Sequence, residues 1–116
     1  MKLYGYNRCS TCRKAEKFLV NLGVEFESIA IREQTPTADE LKQMLTIYEG
    51  NIKKLFNTSG VTYREQKIKD VLPNLSNDEA ITLLQTDGNL IKRPFLISDQ
   101  MGVVGFKEEI WADLLK

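Results

Sequence analysis

The sequence contains no histidine. That absence removes the commonest general base and metal ligand, and with them every Ser-His or Cys-His catalytic pair. Cysteine is scarce too: only Cys9 and Cys12 occur in 116 residues. A tetrahedral zinc site would need two further ligands from carboxylates or a second subunit, so thiol chemistry is the simpler expectation and no metal is expected. Long apolar runs are also missing. The longest charge-free stretch, Leu55 to Tyr63, includes Asn, Thr, Ser and Gly, whereas a membrane span takes about 20 apolar residues. With 16 basic and 16 acidic residues the net charge is zero, so no global field draws the chain to nucleic acid. The first ten residues lack the apolar segment of a signal peptide. The expectation is a cytoplasmic protein with no membrane and no direct nucleic-acid partner.

What is present suffices for one domain covering 1-116, since 42% of the residues are apolar and no repeat or linker divides them. Lys2 to Tyr6 reads as a strand and Asn7 to Ser10 as a polar turn. Cys12, Ala15, Phe18, Leu19 and Leu22 recur at helical intervals before Gly23, which predicts an amphipathic helix over Thr11 to Leu22. Alternation from Val24 to Arg32 predicts a second strand, parallel to the first because a helix connects them. A helical insertion at about 37-88 follows. It opens on the capping box Thr37 to Glu40, continues through Ile52 to Phe56, Ile68 to Leu72 and a segment led by Ser76, and is closed by Gly88. Tyr63, Arg64 and Glu65 read as a loop. Pro94 to Ser98 and Val103 to Gly105 predict an antiparallel hairpin. Glu108 to Leu115 predicts a last helix, with Ile110, Trp111, Leu114 and Leu115 on its packed side. The fold class is α/β, in the order βαβ, helical insertion, ββα.

The pair Cys9-Ser10-Thr11-Cys12 falls between the first strand and the first helix. A sulfur there meets unpaired N–H groups and the positive end of the helix dipole, both of which favour thiolate. Cys9 is the expected nucleophile. Cys12, one turn on, is placed to resolve a mixed disulfide on Cys9, although its spacing also fits simple burial in the apolar stripe. Arg8 and Arg13 flank the pair and add positive charge.

Four separated segments, LYGYNRCSTCRKAEKFL, FNTSGVTYRE, DGNLIKRPFLI and VVGFKEE, together resemble the arsenate reductase-like family, which includes glutaredoxin-linked arsenate reductases and the Spx regulators. The resemblance runs nearly end to end. It implies a thioredoxin-like fold with a four-stranded mixed sheet and an inserted helical subdomain. It further implies a cis Arg93–Pro94 peptide beside Cys9, with Pro94 offering backbone groups to a substrate, and an oxyanion-binding role for Arg93. Arsenate reductases of the family surround the cysteine with three arginines, and the other two positions are occupied here by Asn57 and Lys107. An amide and a point charge are poorer partners for a tetrahedral dianion than planar bidentate donors, so efficient arsenate reduction is not expected.

The reading is a thiol–disulfide oxidoreductase in which Cys9 attacks, Cys12 resolves and Arg93 stabilises the thiolate, with Arg8, Asn57, Pro94 and Lys107 contributing to substrate binding. No bound cofactor is expected; glutathione, glutaredoxin or thioredoxin is the expected reductant, and a small thiol or disulfide the substrate. The alternative is an Spx-like redox-sensing regulator that binds RNA polymerase without turnover.

Overall fold

The computed structural model describes residues 1–115. The element order is β1 (Lys2–Gly5), α1 (Ser10–Leu22), β2 (Glu27–Ala30), α2 (Ala38–Ile47), α3 (Val61–Glu65), α4 (Ile68–Val71), α5 (Asn77–Thr86), β3 (Phe95–Ile97), β4 (Gly102–Val104) and α6 (Glu108–Leu114). Short 3-10 turns lie at Ile52–Leu55, Leu72–Asn74 and Gly88–Leu90. The four strands form one mixed sheet in the order β2-β1-β3-β4. β1 runs parallel to β2, pairing Tyr4 with Ile29, and antiparallel to β3, pairing Tyr4 with Phe95; β3 and β4 make the hairpin.

Alternation along these strands separates two apolar layers. Leu3, Leu96 and Val103 face Ala15 and Leu19 of α1 and Trp111 of α6. Tyr4, Ile29, Phe95 and Ile97 face the insertion, where Leu41, Met44, Leu84 and Leu90 are fully buried. Capping boxes at Thr37/Glu40 and Ser76/Glu79 start α2 and α5, the first as the sequence predicts and the second on the expected Ser76 lead, each worth about 1 kcal/mol. The open edge of β4 is held by Tyr48, whose hydroxyl accepts the Val104 N–H at 3.0 Å.

Several boundaries differ from the sequence-based expectation. β2 is shorter, Glu27–Ala30, because only this stretch meets a partner strand. Tyr63, Arg64 and Glu65 belong to helix α3, and Tyr63 is buried with its ring 6.2 Å from that of Phe56; five residues are too few for a helical period to show. Gly88 is not the stop of α5, which ends at Thr86. It lies in a 3-10 turn against β2's exit, where a Cβ would come 2.0 Å from the Ile31 carbonyl oxygen. On α6 only Trp111 is fully buried, its Nε1 donating to the Gly105 carbonyl at 3.0 Å; Ile110 and Leu114 remain 45% and 44% exposed. A helix of 7 residues reaches the sheet with one turn only.

Candidate active site around the cysteine pair

Cys9 is the N-cap of α1, one residue before the helix begins, with extended backbone at φ −86° and ψ 115°. Its sulfur accepts the Cys12 N–H at 3.3 Å, so a thiolate there satisfies one of the helix's free donors. Cys12 faces inward from the first turn and is almost fully buried. Gly5, the last residue of β1, makes room for it: a Cβ at Gly5 would lie 3.3 Å from the Cys12 Cβ and 3.4 Å from its sulfur. Both cysteines are free thiols.

The two sulfurs have opposite proton affinities. Burial alone would push the Cys9 thiol up and is the largest single influence. Hydrogen bonds from the Cys12 thiol and Cys12 N–H, together with the charge and a hydrogen bond of Arg93, outweigh it and lower Cys9. Burial pushes Cys12 up to about 12, helped by the hydrogen bond it gives to Cys9 and by the negative charge there, and only partly opposed by the Tyr6 backbone and Arg93. One sulfur is thus prepared as thiolate and its neighbour as hydrogen-bond donor.

Arg93 reaches this point through the insertion. The Asn57 N–H donates to the Leu90 carbonyl at 2.7 Å and the Lys92 N–H to the Leu55 carbonyl at 2.8 Å, which fastens the segment leading into Pro94 against the turn after Leu55. The Arg93–Pro94 peptide is cis, as the resemblance implies. Arg93 Nη1 approaches Asn89 Oδ1 at 3.4 Å, and its guanidinium carbon lies 5.4 Å from the centre of the Tyr6 ring.

The other expected site residues are placed differently. Of the arginines flanking the cysteines, Arg13 donates to the Asn7 carbonyl at 3.2 Å, while Arg8 is exposed; only Arg93 among the arginines acts on the Cys9 thiol. Asn57 lines a cleft of about 230 Å³ shared with Arg93, Tyr6 and Arg32. Lys107 lines another cleft of about 540 Å³ with Thr11, Lys54, Lys92 and Arg93. Tyr6, Arg32 and Asn89 escaped the sequence reading. Their signal is positional: Tyr6 and Arg32 come just after parallel strands, the end of an open α/β sheet where ligands bind, but the strand pairing has to be known before that signal can be used.

Among the described residues no three Cys, Asp or Glu side chains are placed to hold a metal, and no helix is long and apolar enough to cross a membrane.

The ArsC family pattern matches residues 4–114. The chain is 45% identical over 109 residues to the uncharacterized protein YusI of Bacillus subtilis, covering 94% of this chain and 92% of that one. It is 28% identical over 101 residues to the global transcriptional regulator Spx of Staphylococcus epidermidis, covering 87% and 76%. Among solved structures, an ArsC family related protein from Bacteroides fragilis superposes with a TM-score of 0.89 at 41% identity, over 97% of this chain and 95% of that one. A thioredoxin-like α/β fold, a strand-to-helix cysteine pair and a match across nearly all of its length lead to one conclusion: the chain belongs to the ArsC family.

Proposed function

We propose that the protein is a thiol–disulfide oxidoreductase of the reducing cytoplasm, with Cys9 as nucleophile and Cys12 as resolving thiol. The observation that carries this reading is the opposed pair of sulfurs, Cys9 lowered and Cys12 raised, at the N-terminus of α1 beside Arg93. The Cys9 thiolate attacks a disulfide R–S–S–R, forming Cys9–S–S–R and releasing one thiolate, which takes up a proton. The sulfur of Cys9 then no longer carries charge, so the hydrogen bond and the repulsion that hold the Cys12 proton are both relieved. Cys12 loses its proton to solvent and attacks Cys9, giving the Cys9–Cys12 disulfide and a second R–S⁻. Two electrons leave the protein, and a glutathione pool, a glutaredoxin or a thioredoxin restores both thiols. No cofactor need be bound. Asn57 and Lys107 stand where the family's arsenate reductases have two further arginines, which leaves a tetrahedral oxyanion such as arsenate less well held.

Mass spectrometry after mild oxidant with glutathione present tests the scheme. The expected product is the internal Cys9–Cys12 disulfide, with a glutathione adduct accumulating only in Cys12→Ser. A stable adduct on Cys9 of the unaltered protein would remove Cys12 from the mechanism, and undiminished disulfide reduction by Cys9→Ser would end the reading altogether.

The likeness to a protein named as a global transcriptional regulator and to one named as a regulatory protein supports a second reading, a redox-sensing regulator that binds RNA polymerase and turns nothing over. Capture of polymerase by the reduced or the oxidised form alone, without measurable disulfide turnover, would favour it.

A further inference from the structure

Tyr6 follows β1 and Arg32 follows β2, and the parallel pairing of these strands brings both residues to the end of the sheet where α1 begins. The guanidinium carbon of Arg32 is 4.7 Å from the centre of the Tyr6 ring and that of Arg93 is 5.4 Å from it. Two cations therefore share one aromatic ring. Among the described residues neither forms an ion pair, and the cleft of about 230 Å³ that they line has no acidic side chain. The ring attracts each cation, and both arginines line one cleft whose wall carries no counter-charge, so their mutual repulsion is uncompensated there. An anion seated in that cleft would offset the repulsion. The rest of the wall supplies hydrogen-bonding residues, Asn57, Asn89 and Thr62, whose amides and hydroxyl can donate to an anion.

We propose that Arg32 and Arg93 form a carboxylate clamp, and that the substrate is a low-molecular-mass disulfide bearing a carboxylate a few bonds from sulfur. Planar guanidinium groups match a planar carboxylate with paired hydrogen bonds. A cleft of about 230 Å³ has room for one small anionic group. The Cys9 N–H donates to the Tyr6 carbonyl at 3.0 Å, and Tyr6 lines the cleft with both arginines, so a carboxylate seated there holds the attached sulfur near the nucleophile. The sulfur step rests on the thiol–disulfide reading: Cys9 S⁻ bonds to the held sulfur, the substrate S–S bond breaks, and the departing thiolate is protonated by solvent. Recognition of the carboxylate stands on the clamp alone. Arg32 is then a specificity-determining residue for which the three-arginine arsenate pattern has no counterpart.

Two measurements separate the clamp from the redox chemistry. In the first, isotope-labelled Cys9→Ser protein is titrated with 3-(methylthio)propionate and followed by NMR. Saturable shifts at Tyr6, Arg32, Asn57 and Asn89 are expected, weakened about tenfold by Arg32→Gln and absent with the neutral methyl ester, as loss of one charged bidentate contact implies. Shifts elsewhere, or binding undiminished in Arg32→Gln, would overturn the clamp. Tighter saturation of the same residues by inorganic phosphate would overturn its assignment to a carboxylate. In the second, the intact protein reduces 3,3′-dithiodipropionate and bis(2-hydroxyethyl) disulfide. The ratio of the two rates should favour the dianion and fall about tenfold in Arg32→Gln, with partial recovery in Arg32→Lys; an unaltered ratio refutes the clamp. Failure to reduce either disulfide refutes the redox reading, and the clamp is then decided by the shifts.

Discussion

At the scale of single residues the chemistry is a competition for protons. Cys9 is partly buried, which favours its neutral form, yet hydrogen bonds from Cys12 and the charge of Arg93 hold it below the ordinary thiol. Its alkylation by iodoacetamide should reach half its limiting rate below pH 8.5, the usual thiol value, whereas Cys12 stays unmodified across the neutral range. Arg93→Met removes a cation that stabilises the thiolate, so the midpoint should move upward; a midpoint unchanged by the substitution would detach Arg93 from the nucleophile. Gly88 is a residue of another kind, chosen for space. A methyl group there meets the Ile31 carbonyl oxygen at 2.0 Å and its carbon at 2.6 Å, both backbone atoms that cannot rotate away. Gly88→Ala should cost about 3 kcal/mol in urea denaturation.

At the scale of elements, one carboxylate ties the first strand to the start of α2. Glu40 accepts the Tyr4 hydroxyl at 2.7 Å and the Thr37 N–H at 2.9 Å, and pairs with Lys2 at 3.3 Å. Burial opposes its ionisation most, but these partners together hold it below the usual carboxylate range. A carboxyl lowered by folding stabilises the native state above its unfolded value, about 4.3, and that contribution is lost as pH falls through the lowered folded value. Glu40→Ala should therefore cost about 2 kcal/mol at neutral pH, the sum of a capping box and a hydrogen-bonded charge. The gap between wild type and variant, followed by denaturation across pH, should narrow below pH ~4. A gap independent of pH would show that packing alone, not the charge, is lost.

At the scale of the whole molecule, a chain with equal numbers of acidic and basic residues still sorts its charge. Lys54, Lys92, Arg93 and Lys107 line one cleft, Arg32 and Arg93 the next, and neither cleft has an acidic wall residue. Such a local field draws anions and is screened by salt over about 10 Å at 0.1 M. The reduction rate of a dianionic disulfide should fall severalfold between about 0.01 and 0.5 M salt, while that of a neutral disulfide changes little. Equal salt dependence would mean that these cations do not guide the substrate.

Much of this was already written into the linear chain. The βαβ and ββα order, the capping box at Thr37, the Ser76 lead of α5, the position of Cys9 at the start of α1 and the separated motifs around Arg93 are local or ordered patterns, and local patterns follow from backbone donors, side-chain period and turn chemistry within a few residues of each other. Helix α3 is not legible in the sequence, because its five residues are too few to show a helical period, and the role of Gly88 is not legible because its constraint comes from Ile31, far away in sequence. The same holds for the clamp candidate: Tyr6, Arg32 and Arg93 belong to three segments with no shared period. Strand pairing and the insertion's hold on residues 90–92 bring them together, and those contacts are decided by which apolar faces can be buried at once, a choice made only by the folded whole.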